Sequence, residues 1–188
     1  MRRSLLVGAA LTTLLGAGCA SDPQPRRDGG GAERFTGFAG VVEETGNYLA
    51  IAVLGERVRM FVCDSADEVW LEGSAAKDGM VTLKAGGNKR VGFFNTQQGV
   101  GTFWIGGRLR SFKAAPVDKP AGLYRAQSPN RNLVGGWVVL PNGDQVGTVT
   151  LDGVNQPAPR IDPGKDTVTV AGERLALKAG DEQLSSGG

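Results

Sequence analysis

From residue 34 to about residue 178 the chain is a succession of short apolar runs separated by turn-forming residues. Residues 48–54 (YLAIAVL) are almost continuously apolar and close at Gly55-Glu56. The next stretch alternates: Val58, Met60 and Val62 fall on one side, Arg57 and Arg59 on the other. A period of two predicts a half-buried strand. Similar runs follow at 68–71, 80–83, 90–94, 99–105, 108–112, 122–126, 135–140 and 146–151. Gly73, Asp78-Gly79, Gly86-Gly87-Asn88 and Gly106-Gly107 punctuate them. Pro141-Asn142-Gly143-Asp144 is the strongest hairpin signal, because Asn-Gly readily supplies the positive φ angles of a tight turn. Val168, Val170, Leu175 and Leu177 predict a closing hairpin across Gly172, with Arg174, Ala176 and Lys178 on its other face.

About eleven strands joined by short connections, with helix signals nearly absent, predict an all-β fold. Short connections favour antiparallel neighbours, since parallel strands need long crossovers. An antiparallel meander of this size must curl or split to hide its apolar faces and edges, so a small barrel is expected, with a two-sheet sandwich as the alternative. No fixed-period repeat is visible, which argues against a propeller or solenoid. Residues 114–121 (AAPVDKPA) and 155–165 (NQPAPRIDPGK) are proline-rich and predicted as loops. Residues 181–188 are polar, end in Ser and Gly, and are expected to be a disordered tail.

The N-terminus follows a different pattern. Arg2-Arg3 precede an apolar run from Leu5 to Leu15 and a small-residue exit, the three parts of an export signal. The run is about half of the roughly 20 residues that span a bilayer. Leu14-Leu15-Gly16-Ala17-Gly18-Cys19 resembles the lipobox of bacterial lipoproteins. That resemblance implies diacylglyceryl transfer to the Cys19 thiol and cleavage before it, leaving a lipid-anchored protein on the extracytoplasmic face of the cell membrane. Ordinary signal cleavage after Ala20, giving a secreted protein, is the alternative. Residues 121–126 together with 135–143 are similar to lipoproteins of high-GC Gram-positive bacteria, a likeness that implies no activity. The expected organisation is a signal peptide at 1–18, the lipidated cysteine with a tether at 19–33, a β-rich domain at 34–180 and the tail. The tether, with two prolines and three consecutive glycines, would span roughly 20 Å as a coil. Two long acyl chains would hold such a protein firmly, since each buried CH₂ contributes about 0.8 kcal/mol.

The 188 residues carry 21 Lys+Arg, 19 Asp+Glu and no His. Removal of Arg2 and Arg3 with the signal leaves 19 of each sign. A neutral domain lacks the electrostatic footprint for nucleic acid, so no nucleic-acid partner is expected. Without histidine there is no Ser-His-Asp or Cys-His machinery and no His-ligated metal, and neither a cofactor nor a metal is predicted. Gly29-Gly30-Gly31 opens no strand–helix unit, so the abundant glycines read as turn residues rather than a phosphate cradle.

The remaining candidates are few. Cys63 is the one thiol left beside Cys19 and reads as a small residue at a strand end. Asp64, Asp67, Glu68 and Glu72 form the densest acidic stretch, but their spacing is wrong for calcium, and they read as solvated loop acids. Arg108, Arg110 and Lys113, near Lys89-Arg90, form a candidate anion-binding patch, with Arg108 and Arg110 on one strand face. Trp70, Phe93, Phe94, Phe103, Trp104, Tyr124 and Trp137 are expected mostly in the core, or lining a barrel pocket for an apolar ligand. The expected function is therefore that of a non-catalytic, membrane-anchored envelope lipoprotein whose β-domain binds an envelope protein or polymer. Two alternatives stand: a lipocalin-like carrier of an apolar ligand, which a pocket lined by Phe103 and Trp137 would favour, and a hydrolase working through carboxylates alone.

Overall fold

The computed structural model describes residues 33–63, 68–86, 89–105 and 107–186. The signal segment, Cys19, all of the tether but Glu33, and Asp64 and Asp67 lie outside the described residues. Among the described residues, fourteen strands and one short helix run in the order β1 (Phe35–Val42), β2 (Tyr48–Leu54), β3 (Arg57–Cys63), β4 (Glu68–Ala75), β5 (Met80–Ala85), β6 (Lys89–Asn95), β7 (Val100–Ile105), β8 (Arg108–Val117), β9 (Gly122–Gln127), β10 (Leu133–Val139), β11 (Gln145–Leu151), β12 (Val154–Pro157), β13 (Thr167–Val170), β14 (Glu173–Ala179) and α1 (Gly180–Ser185).

The fold is all-β, and the antiparallel meander closes as expected. Strands β1 to β8 form a barrel in sequence order, sealed by antiparallel pairing of β1 with β8. The remaining six strands form a separate curled sheet, ordered β12-β11-β10-β9-β14-β13. At the seal the backbones approach so closely that a Cβ on Gly40 would collide with the Lys113 carbonyl of β8.

Eight strands give an interior just wide enough for side chains to fill. The alternating positions of the barrel supply them: Val58, Met60 and Val62 of β3 point inward as their period predicts, with Phe38, Leu49, Ile51, Phe94, Phe103 and Phe112. The Phe38 and Phe94 rings meet edge-on at 5.0 Å, Phe94 stacks on Phe112 at 5.5 Å, and Phe103 lies 5.7 Å from Phe112. The curled sheet has its own core around Trp137, with Tyr124, Leu133, Val149, Ile161, Val170 and Leu177. The Trp137 indole N–H donates to the Pro159 carbonyl at 2.8 Å.

A third cluster joins the two bodies. Ala50, Ala52 and Leu54 of β2 and Phe61 and Cys63 of β3 pack against Leu123 of β9, Val138 of β10 and Leu184 of α1. This explains the unbroken apolar run of β2: one side of the strand faces the barrel interior and the other is covered by the sheet, so alternation disappears. Closest approach falls at Gly136 of β10, where a Cβ would lie 2.5 Å from Phe61 Cζ and 2.6 Å from Trp70 Cζ2.

Three local expectations are corrected. Residues 114–117 continue strand β8 instead of starting a loop. Strand β7 ends its ladder opposite Lys113, so Pro116 runs where β8 is paired only with β1, a one-sided stretch that tolerates a missing N–H. Residues 154–157 form the exposed edge strand β12, again a position open to proline. The tail is not frayed through residue 185: α1 buries Gln183 and Leu184, Lys119 bridges Asp181 at 2.8 Å, and Arg57 donates to the Leu184 carbonyl. Its polar composition concealed one apolar anchor, Leu184.

Candidate functional site

The sheet covers only part of the barrel wall. Beyond the apolar contact at Phe61, the outward positions of β3 and β4 become charged: Arg59 stands opposite Glu72, and Glu68 opposite Cys63. The sheet presents Arg125 and Gln127 of β9, Val134 of β10, Thr150 of β11 and Lys178 of β14 to the same seam. Two adjoining clefts result, of about 570 Å³ and about 500 Å³, which share Arg59, Glu72 and Arg125. Lys84 and Gly86 border the first, Lys178 and Gln183 the second.

Trp70 carries the centre of this arrangement. Its ring lies 4.3 Å from the Phe61 ring, and the Arg125 guanidinium lies over it at 4.9 Å. The cation–π contact with the indole helps to position Arg125 over the cleft. Arg125 Nη2 donates to Gln127 Oε1 at 3.2 Å, while its buried Nε meets no acceptor. The Arg59–Glu72 ion pair is long, at 3.4 Å. Glu68 accepts a 2.5 Å hydrogen bond from the Thr150 hydroxyl, whose oxygen also lies 2.8 Å from the Asn155 side chain. The Trp70 indole N–H lies toward the Glu68 carboxylate without completing hydrogen-bond geometry.

Burial pushes the Glu68 carboxyl above the ordinary glutamate value, against the opposing pull of Thr150, Trp70 and Arg125. Burial likewise lowers Arg125 from the ordinary arginine value, the nearby Arg59 charge lowers it further, and Glu68 and Glu72 act in the opposite direction. Glu68 Oε2 in the first cleft and Gln183 Oε1 in the second are also buried without a hydrogen-bond partner. Unmet polar groups of this kind are uncommon inside a fold. The clefts thus combine two neighbouring guanidiniums, two lysines, two carboxylates and unsatisfied polar atoms.

The residues singled out in the sequence fall elsewhere or behave differently. Arg110 stands opposite Phe103 on the inward side at one end of the barrel and pairs with Glu44 at 3.6 Å. Lys113 takes the opposite strand face and pairs with Glu43 at 3.1 Å. Arg108 shares Arg110's strand side and is exposed. The candidate patch is therefore divided between two faces, with two of its three cations matched by acids. Cys63 is fully buried at the end of β3, as its strand-end reading implies. Glu68 and Glu72 belong to strand β4 rather than to a solvated loop. Phe103 and Trp137 occupy different cores and line no common pocket. Phe93 and Trp104 are exposed, 43% and 55%, because they take outward positions on the barrel wall.

Arg125 and Thr150 were missed. Arg125 alternates with Tyr124 and Ala126 and so reads as the solvent side of a half-buried strand, but its side of the strand also holds buried Leu123. Among the described residues there is no cluster of three or more His, Cys, Asp or Glu that could hold a metal ion, and no helix is long and apolar enough to cross a membrane.

Fold and site together define a closed eight-stranded barrel with an appended curled sheet and a charged seam between them. Compared with known proteins, the chain matches no family model, no curated protein and no solved structure.

Proposed function

We propose that this protein is a lipid-anchored lipoprotein of the cell envelope, held on the extracytoplasmic face through acylated Cys19, and that its β-domain binds a partner at the seam without catalysing a reaction. One observation carries the binding reading. The barrel and sheet cores are filled by their own side chains, whereas the seam gathers Arg59, Arg125, Glu68 and buried polar atoms lacking partners. The anchoring reading rests on the lipobox-like segment ending at Cys19.

The phenylalanine packing inside the barrel speaks against a lipocalin-like carrier, which needs a cavity there. The geometry of the seam also favours binding over carboxylate hydrolysis. Glu68 and Glu72 are four residues apart on one strand, about 13 Å along it. Paired glycosidase carboxylates are separated by roughly 5–9.5 Å. Fractionation of expressing cells tests the anchor: the wild-type chain should pellet with membranes and require detergent for release, and Cys19→Ala should not be acylated. Equal acylation of both, or recovery of the wild type in the medium, would refute it.

A further inference from the structure

The sheet turns two basic side chains toward the barrel from directly opposite positions. Lys178 of β14 pairs with Arg125 of β9, so the two share one side of the sheet with their Cβ atoms about 5 Å apart. Like charges placed directly opposite each other weaken a strand pair. Arg59 of β3 joins them from the barrel, close enough for its charge to press on Arg125. All three border the smaller seam cleft, of about 500 Å³.

The acids nearby do not balance this group. Among the described residues Glu72 is the one carboxylate bordering the smaller cleft; its side chain is 76% exposed and reaches Arg59 at 3.4 Å. Glu68 also acts on Arg125, but it borders the larger cleft, where it accepts from Thr150. The Arg59 side chain is only 13% exposed, and its one described hydrogen bond is the long one to Glu72. Lys178 meets no acid among the described ion pairs. The rest of the lining is small or polar and uncharged, with Gln127, Gln183 and Ser186 beside Ala176. Gln183 Nε2 donates to the Lys178 carbonyl, which fixes the orientation of the amide and leaves its buried Oε1 as an acceptor without a donor.

We propose that the smaller seam cleft binds an oxyanion carried on a hydroxylated body, as in a polyol phosphate or a uronic acid, with the anion among Arg59, Arg125 and Lys178 and a hydroxyl donating to Gln183. Guanidinium recognition of a carboxylate or phosphate is strong and directional. An anion at this place offsets the repulsion among the three cations, which a neutral ligand cannot do. The uncharged polar remainder of the lining suits hydroxyls better than an apolar chain. This deepens the reading of the seam as a binding seat and rests on it. It is independent of acylation at Cys19, so a failed titration leaves the anchor standing and a failed anchor leaves the site standing.

The test is isothermal titration of the full-length chain in detergent micelles with glycerol phosphate, methyl glucuronide, uncharged methyl glucoside and inorganic phosphate. At least one of the first two should bind about tenfold more tightly than the glucoside. The tighter of them identifies the anion as phosphate or carboxylate. Lys178→Gln should weaken that binding severalfold, yet should not lower the thermal midpoint of the ligand-free chain, because it removes the like charge opposite Arg125. Arg59→Gln should weaken binding at least as much. Lys178 is exposed, so its variant answers even where Arg59→Gln disturbs folding, which far-ultraviolet circular dichroism reports. Glucoside binding as tightly as the charged ligands, inorganic phosphate binding as tightly as both hydroxylated anions, or no binding at millimolar concentration would overturn the oxyanion site. Binding of the charged ligands that neither variant alters would refute the seam as the seat as well.

Discussion

Glu68 is held in part by burial and in part by the Thr150 hydroxyl, and burial wins: its carboxyl titrates above the ordinary glutamate value. A group raised in this way supports the folded state fully below its unfolded pKa, and that support is lost as pH rises through the folded value. Glu68→Gln preserves an acceptor for Thr150 and cannot ionise. The wild-type thermal midpoint should therefore fall relative to that of Glu68→Gln as pH rises between the ordinary and the raised value. Parallel melting curves across the weakly acidic range would contradict the assignment. Trp137 offers a second test at this scale. Its ring fills the sheet core at 1% exposure, and its N–H satisfies Pro159. Trp137→Phe should cost about 1–3 kcal/mol in urea unfolding, because the Pro159 carbonyl loses its donor in a buried setting.

At the scale of elements, most strands were legible because a period of two and the Gly turns mark them locally, while β1 and β12 were not singled out. The turn at Asn142-Gly143 joins β10 to β11, with Gly143 at φ 85°, and the closing hairpin turns at Ala171 and Gly172, both with positive φ. What was not legible depends on partners distant in sequence. Nothing in 48–54 tells which of its two buried sides faces the barrel interior and which faces Leu123 and Val138. The site was hidden for the same reason: Arg59, Glu68, Arg125 and Thr150 come from four strands, and only the docking of sheet on barrel brings them together. Pro116 and Pro157 misled because proline is excluded from paired interiors, not from one-sided or edge stretches.

That docking yields two element-scale expectations. Gly136→Val should separate sheet from barrel at Phe61 and Trp70 and destabilise the fold by about 1–3 kcal/mol, with increased dye binding to newly exposed apolar surface. Leu184→Ala should cost about 2 kcal/mol or more, because the helix closes the same apolar cluster. An unchanged urea midpoint for either variant would show that the joint between the two bodies is not held where the packing places it.

For the whole molecule, the described surface includes a cleft where charge and unmet hydrogen bonds coincide. A binding domain displayed at a membrane surface needs a stable scaffold and one adaptable seat, and the filled barrel with its appended sheet is compatible with that role. The proposed anchoring rests on a stretch of sequence rather than on the folded body, so the direct test is chemical. Mass spectrometry of the membrane-extracted protein should find Cys19 as the first residue, carrying a diacylglyceryl mass on sulfur. An N-terminal peptide that still begins at Met1, or one that begins after Ala20 with no lipid, would contradict the account.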